Sequence, residues 1–258
     1  MPSPSLPLLR RLGFSVGATL LLLAAAPAAA ANPEQVQDLG PKKRQWSLEY
    51  VGQFGSANGS DEGRQHSGEL YYAISDSLVI GGETQLSYRS GPLVNRDGLF
   101  FDYDSVIALL RFSDVEKDPV GAGLWLQAAL DSDGEVARLE TRFILEKKTD
   151  AWRTAANAML RRVNEEEEEG TLLAYSGRIS HAVAPNVWLG AEASGQAARI
   201  SGFRREPLDS GHYLGPSLAF EFPLGGRAEA QLGLSYLHRI DEDEGLRNVA
   251  QLSAQLRF

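Results

Sequence analysis

His66, Ser67 and Glu69 supply the three groups of a nucleophilic ester hydrolysis: an imidazole to take a proton, a hydroxyl to attack and a carboxylate to orient the ring. Their spacing argues against that use, because adjacent side chains on a strand point to opposite faces and His66 and Ser67 then share no site. Asp102 and Asp104, at i and i+2, fall on one strand face, and with His212 or His238 near a strand end they could activate water. Histidines 66, 181, 212 and 238 have no pair at ligand spacing, so no metal and no cofactor is expected. Neither constellation carries a local signature, so no catalytic residue is assigned and an outer-membrane hydrolase is only an alternative reading.

The elements that would position these residues are strands. From Phe258 backwards, Phe258, Leu256, Ala254, Leu252 and Ala250 make one face, and Arg257, Gln255, Ser253 and Gln251 the other. Ala228, Ala230, Leu232, Leu234 and Tyr236 oppose Arg227, Glu229, Gln231, Gly233 and Ser235 in the same way. A helical period of 3.6 would scatter these charges over both sides. Such segments, about ten residues long, are what a transmembrane barrel requires, with one side chain to lipid and the next to the lumen.

Laid along the chain, the pattern predicts about twelve strands, near 44–55, 66–75, 77–90, 100–112, 119–131, 135–148, 150–163, 170–183, 186–198, 211–222, 226–239 and 246–258, with ten as the alternative. The segment at 100–112 is ambiguous, since Tyr103, Ile107 and Leu109 choose one face and Val106, Ala108 and Leu110 the other, which predicts a bulge or a shifted boundary. The fold class is thus all-β, an antiparallel up-and-down transmembrane barrel. Short links at Asp76-Ser77, Lys148-Thr149-Asp150, Ala184-Pro185-Asn186 and Leu224-Gly225-Gly226 alternate with longer ones, as periplasmic turns alternate with extracellular loops.

Arg10 and Arg11, the apolar run Leu12–Ala26 and the alanines ending at Ala31 read as a signal peptide over 1–31. Residues 32–43 then read as a periplasmic N-terminal segment and 44–258 as the barrel. The terminal Phe258, with Leu256 and Leu252 at alternating positions before it, reads as an outer-membrane assembly signal. The expected partners are outer-membrane lipid and lipopolysaccharide, the barrel assembly machinery and a small solute, around a monomer in the cell outer membrane.

A formal charge of −9 gives no basic stripe for nucleic acid, and the absence of cysteine excludes disulfides and thiolate sites. The acid is concentrated at Glu165–Glu169 and Asp241–Glu244, which read as solvated loop tips. Trp46, Tyr50, Tyr88, Phe101, Trp152, Tyr175, Phe222, Tyr236 and Phe258 suit interfacial girdles.

Charges on the predicted inner face include Glu49, Glu83, Arg89, Arg138, Glu140, Arg142, Arg178, Glu192, Glu221 and Glu229, because a charge facing lipid at the midplane costs about 2–4 kcal/mol for Arg or Lys. Hydrated, they line a narrow pore for small solutes. Paired across the interior, they form a salt-bridged, closed lumen in a structural or interaction barrel.

The opening strand Trp46-Ser47-Leu48-Glu49-Tyr50, the paired strands across Leu78 to Tyr88 and the late His212-Tyr213-Leu214-Gly215-Pro216-Ser217-Leu218 resemble the outer-membrane β-barrel transporter family named for the MetA pathway of phenol degradation. The resemblance spans most of the mature chain. It implies a barrel that moves small compounds, aromatic or hydrophobic among them, and it brings no catalytic residues.

Overall fold

The computed structural model describes residues 33–57, 62–90, 98–163, 170–201, 204–206, 211–241 and 246–258. The expected signal peptide, the run Glu165–Glu169 and residues 242–244 of the second acidic cluster lie outside these. The strands are β1 Trp46–Ala57, β2 Glu62–Ala73, β3 Leu78–Ser90, β4 Gly98–Ser113, β5 Gly121–Leu130, β6 Val136–Lys148, β7 Trp152–Val163, β8 Gly170–Ala184, β9 Val187–Ser201, β10 Arg204–Glu206, β11 His212–Gly225, β12 Ala228–Arg239 and β13 Leu246–Arg257. Every pairing is antiparallel. Each strand of the wall pairs with its neighbours in the chain, β9 passes to β11, and β13 returns to β1, so twelve strands close a barrel. The three-residue β10 is an arm folded back on the end of β9. Closure removes the open edges that would otherwise seek another chain.

The two ends of the chain complete the seam: Trp46 N–H donates to the Phe258 carbonyl at 2.8 Å and Phe258 N–H to the Trp46 carbonyl at 3.0 Å. Phe258 stands exposed, and Leu256 and Leu252 pair with Leu48 and Gly52 along that seam. At the same end lie the short links. Gly225 and Gly226 adopt φ of +96° and +64° between β11 and β12, a tight reversal that residues bearing a Cβ make only with strain.

The wall is polar inside and apolar outside, the reverse of a soluble barrel. Ser47, Glu69, Gln127, Glu140, Asn157 and Ser176 are buried, while Val106 and Phe112 are 64% and 62% exposed. Leu70, Leu139, Leu160, Leu189 and Leu234 likewise stand on the outer surface. A hydrocarbon solvent is what such a surface requires, and the barrel belongs in the outer membrane. Leu160 lies on the outer surface of β7; Leu160→Arg is expected to cost up to about 4 kcal/mol, scaled by its depth. A urea titration of the barrel refolded in lipid vesicles, compared with wild type, measures it.

β4 carries a bulge just before its two-sided apolar stretch. Gln85 pairs with Tyr103 and Leu86 with Phe101, so Asp102 is the extra residue. Asp102 turns inward, accepting from Ser87 Oγ at 2.7 Å and Gln85 Nε2 at 3.1 Å, whereas Asp104 accepts from Thr84 Oγ1 at 2.6 Å on the exposed side. The expectation that these two aspartates share a face is therefore corrected, since the bulge separates them.

Candidate functional site: an occupied lumen

The chain's own N-terminal segment runs through the interior. Residues 32–43 read from sequence as a segment outside the barrel, but Pro33 to Pro41 thread the lumen. The reversal comes at Lys42–Gln45, where Gln45 N–H donates to the Lys42 carbonyl at 3.0 Å and Arg44 takes φ of +60°. Gln45 Nε2 reaches the Arg227 carbonyl at 3.1 Å and Arg44 N–H the Ala73 carbonyl at 2.7 Å, so the turn is pinned to the short-link rim. The chain then climbs away from β1 through the interior.

Alternate residues of the climb, Pro33, Gln35, Gln37, Leu39 and Pro41, meet wall donors or acceptors with their backbone. Arg111 Nε donates to the Leu39 carbonyl at 2.7 Å, and the same guanidinium bonds the Pro41 carbonyl. Asn157 brackets Gln37, accepting its N–H at 2.7 Å and donating to its carbonyl at 3.1 Å. The Gln35 carbonyl takes Arg142 Nη1 at 2.8 Å and Ser176 Oγ at 2.9 Å, and the Pro33 carbonyl takes Gln53 Nε2 at 2.9 Å. An extended segment has no ladder of its own, so these bonds answer the demand that buried backbone groups be paired. Asn157→Ala removes both bonds to Gln37; at about 1 kcal/mol each, it should raise the fraction of time the segment is undocked roughly tenfold or more. Faster hydrogen exchange of the Gln37 amide, read by NMR in detergent, checks it.

The segment's carboxylates are matched to guanidiniums. Glu34 is held by Arg161 through two bonds, at 3.0 and 2.7 Å, and Asp38 meets Arg257 at 2.6 Å. Burial pushes the Asp38 carboxyl up, but Arg257, Lys148 and the Gly40 N–H outweigh it and hold Asp38 well below the usual carboxylate range. A lowered carboxylate contributes stability that is present at neutral pH and lost as pH falls below about 4, the ordinary aspartate value. Asp38→Asn is therefore expected to loosen docking at pH 7, whereas the wild type should lose this contribution only in stronger acid; channel opening recorded at the two pH values compares them.

Leu39 is the apolar anchor. It is 4% exposed and packs with Tyr71, Ala73, Val79, Ile107, Leu109, Trp125 and Ile144, a cluster built from inward positions of β2 to β6. Room for it comes from two glycines on β5: a Cβ on Gly121 or Gly123 would stand 2.6 or 2.8 Å from the Leu39 methyls.

Around this segment the wall charges pair. Glu140 takes Arg142 and Arg161, each at 2.6 Å, and Arg178 meets Glu192 at 3.4 Å. Arg153 forks onto Glu221 and lies 3.8 Å over the Trp188 ring, whose Nε1–H donates to the same carboxylate at 3.3 Å. Glu83 is bonded by Gln127 and lies 3.4 Å from the Tyr103 hydroxyl, which takes an Arg138 N–H at 2.5 Å. Glu49 accepts from Ser47 and Gln255, and Glu229 meets Arg257 at 3.2 Å. Of the residues expected to line the interior, only Arg89 lies outside the part whose side chains are described. Beside the segment, on the β7 to β13 side, lies a cavity of about 210 Å³ bounded by Arg153, Arg178, Glu192, Glu221, Gln251 and the segment's own Gln35 and Asp38.

The groups first considered for hydrolysis are not brought together. His66 bonds Tyr50 at 2.8 Å, His212 bonds Tyr175 at 2.9 Å, His238 meets Asn248 at 2.9 Å, and His181 packs edge-on to Trp152. Strand parity puts these pairs on the outer face, while Ser67 and Glu69 are buried inside. Sequence reasoning missed Glu34, Gln37, Asp38, Leu39 and Asn157. The one signal for the segment was its bracketing prolines, Pro33 and Pro41, which favour an extended path without saying where it runs.

No protein-family model matches the sequence, and no curated protein is similar to it. In fold, the chain is similar to the NanC porin, with a TM-score of 0.53 at 9% identity over 80% of this chain and 98% of that one. It is also similar to an outer-membrane channel of Pseudomonas putida F1, with a TM-score of 0.54 at 13% identity over 88% and 98%. At such identities the likeness is one of architecture, that of a closed β-barrel of the outer membrane.

Proposed function

We propose that the protein is a narrow outer-membrane channel for small solutes, closed at rest by residues 33–41 and opened when that segment leaves the lumen. The observation that carries this reading is the bonding of one short, ladder-free segment to β1, β4, β6, β7, β8 and β13 through the middle of the barrel. Twelve strands lie between the eight that side chains fill and the sixteen that leave an aqueous channel, so an unoccupied lumen of this size conducts narrowly. In this reading the barrel works as a monomer delivered by the barrel assembly machinery, bounded by lipid and lipopolysaccharide, and it catalyses no reaction.

The test is a lock. The chain has no cysteine, so a pair introduced as Gln37→Cys and Asn157→Cys, whose side chain meets the Gln37 backbone, is the one place a disulfide can form, and loss of free thiol on oxidation verifies it. Oxidised, the refolded barrel should be silent in a planar bilayer; reduced, it should show discrete conductance steps. The paired charges of Glu140, Arg142 and Arg161 favour a second reading, a structural barrel closed by its own wall. A reduced, correctly folded sample that stays silent would establish that one instead.

A further inference from the structure

The contacts that dock the segment also describe what replaces it. Resting on the channel reading above, we infer that the solute of the open lumen is a small organic carboxylate, and that Glu34 and Asp38 occupy its two stations. Arg161 grips Glu34 through both oxygens in the fork geometry with which a guanidinium recognises any carboxylate. Arg257 holds Asp38 nearer the short-link mouth. The two acids are four residues apart, up to about 14 Å in an extended chain, so they mark separate single-carboxylate sites along the lumen.

Charge accounting points the same way. When the segment leaves, two carboxylates go with it. Arg161 then loses Glu34 and shares Glu140 with Arg142, Arg257 loses Asp38 and keeps Glu229 at 3.2 Å, and Arg111 loses two backbone carbonyl acceptors. Guanidiniums taken partly out of water need counter-charge, so an entering anion stabilises the open state that a neutral solute leaves unfavourable. The inner acids Glu49, Glu69 and Glu83 weigh against an anion, but each is bonded to hydroxyls or amides of the wall. Glu146, which does touch the segment, takes the Leu39 N–H at 3.3 Å and pairs with Lys148 at 2.7 Å. Anion and segment therefore compete for the same arginines, and the solute promotes its own entry by mass action.

The experiment uses the full mature barrel and a variant lacking residues 33–41, both checked for heat-modifiable gel migration, in planar bilayers. In a potassium chloride gradient the shortened barrel is expected to pass chloride several-fold better than potassium. Arg161→Gln with Arg257→Gln should remove that preference, while the paired lysine substitutions keep it. With the full barrel, sodium acetate added to the short-link side should raise the opening frequency several-fold, and the uncharged sugar arabinose at equal concentration should leave it unchanged. Cation selectivity in the shortened barrel, or selectivity indifferent to the two glutamine substitutions, would overturn the carboxylate assignment and leave the channel standing. A folded, shortened barrel that conducts nothing would bring down the channel reading and this inference with it.

Discussion

Deleting residues 33–41, with the Lys42–Gln45 turn retained, is expected to convert a barrel that opens rarely into one that conducts continuously. Closure of the wall depends on the strand ladders and the Trp46–Phe258 seam, and neither includes the deleted residues. Neutral groups that bonded the segment, such as Asn157 and Ser176, then face water and are hydrated, so the barrel keeps its fold. The cavity of about 210 Å³ beside the segment merges with the vacated path. Single-channel recording should show long open levels in place of brief steps, with heat-modifiability unchanged. Unaltered conductance in a folded variant would mean that the wall lattice, not the segment, closes the lumen.

The strands were legible in the sequence, and the physical reason is that lipid and lumen impose opposite solvents on alternate residues. Leu234 and Leu252 face one way and Ser235 and Gln251 the other because any slip would put charge into hydrocarbon. The signal faded at β4 because its inward residues Ile107 and Leu109 are also apolar, as they form the socket for Leu39. A strand that is apolar on both sides loses its period. The ambiguity was thus the sequence trace of the lumen's occupant, though nothing local could identify it.

The segment itself was illegible for a related reason. Glu34, Gln35, Gln37 and Asp38 are ordinary residues of a solvated tail, and what buries them is a wall more than 100 residues away, as in the separation of 120 between Gln37 and Asn157. No period, cap or turn near residue 37 encodes that partner. Conversely, the inner charges were assigned to the inner face by cost alone, while their pairing depended on cross-lumen geometry such as Arg153 with Glu221. The histidines misled because type suggested chemistry and parity placed them outward with tyrosine, tryptophan and asparagine neighbours.

Leu39→Ala should give the largest effect of any single substitution on opening. Truncating a buried leucine costs about 2–5 kcal/mol, the loss rising with the cavity it leaves. The socket around Leu39 is strand-borne and cannot collapse around an alanine, because Val79, Ile107 and Trp125 are fixed by their own ladders. Each 1.4 kcal/mol is a factor of ten, so the docked state should lose about 30-fold or more in population relative to the undocked one. Leu39→Met, which keeps volume, should stay within about tenfold of wild type. Gly123→Ala reaches the same contact from the other side: its Cβ would crowd a Leu39 methyl at 2.8 Å and the Leu110 carbonyl at 3.0 Å, so it should also favour undocking, and by less, since a side-chain methyl can shift. Open probability at fixed voltage, measured for the three variants, should therefore rank Leu39→Ala above Gly123→Ala above Leu39→Met. Equal values for alanine and methionine at position 39 would show that the polar bonds to Arg111, Asn157 and Arg161 hold the segment without an apolar anchor.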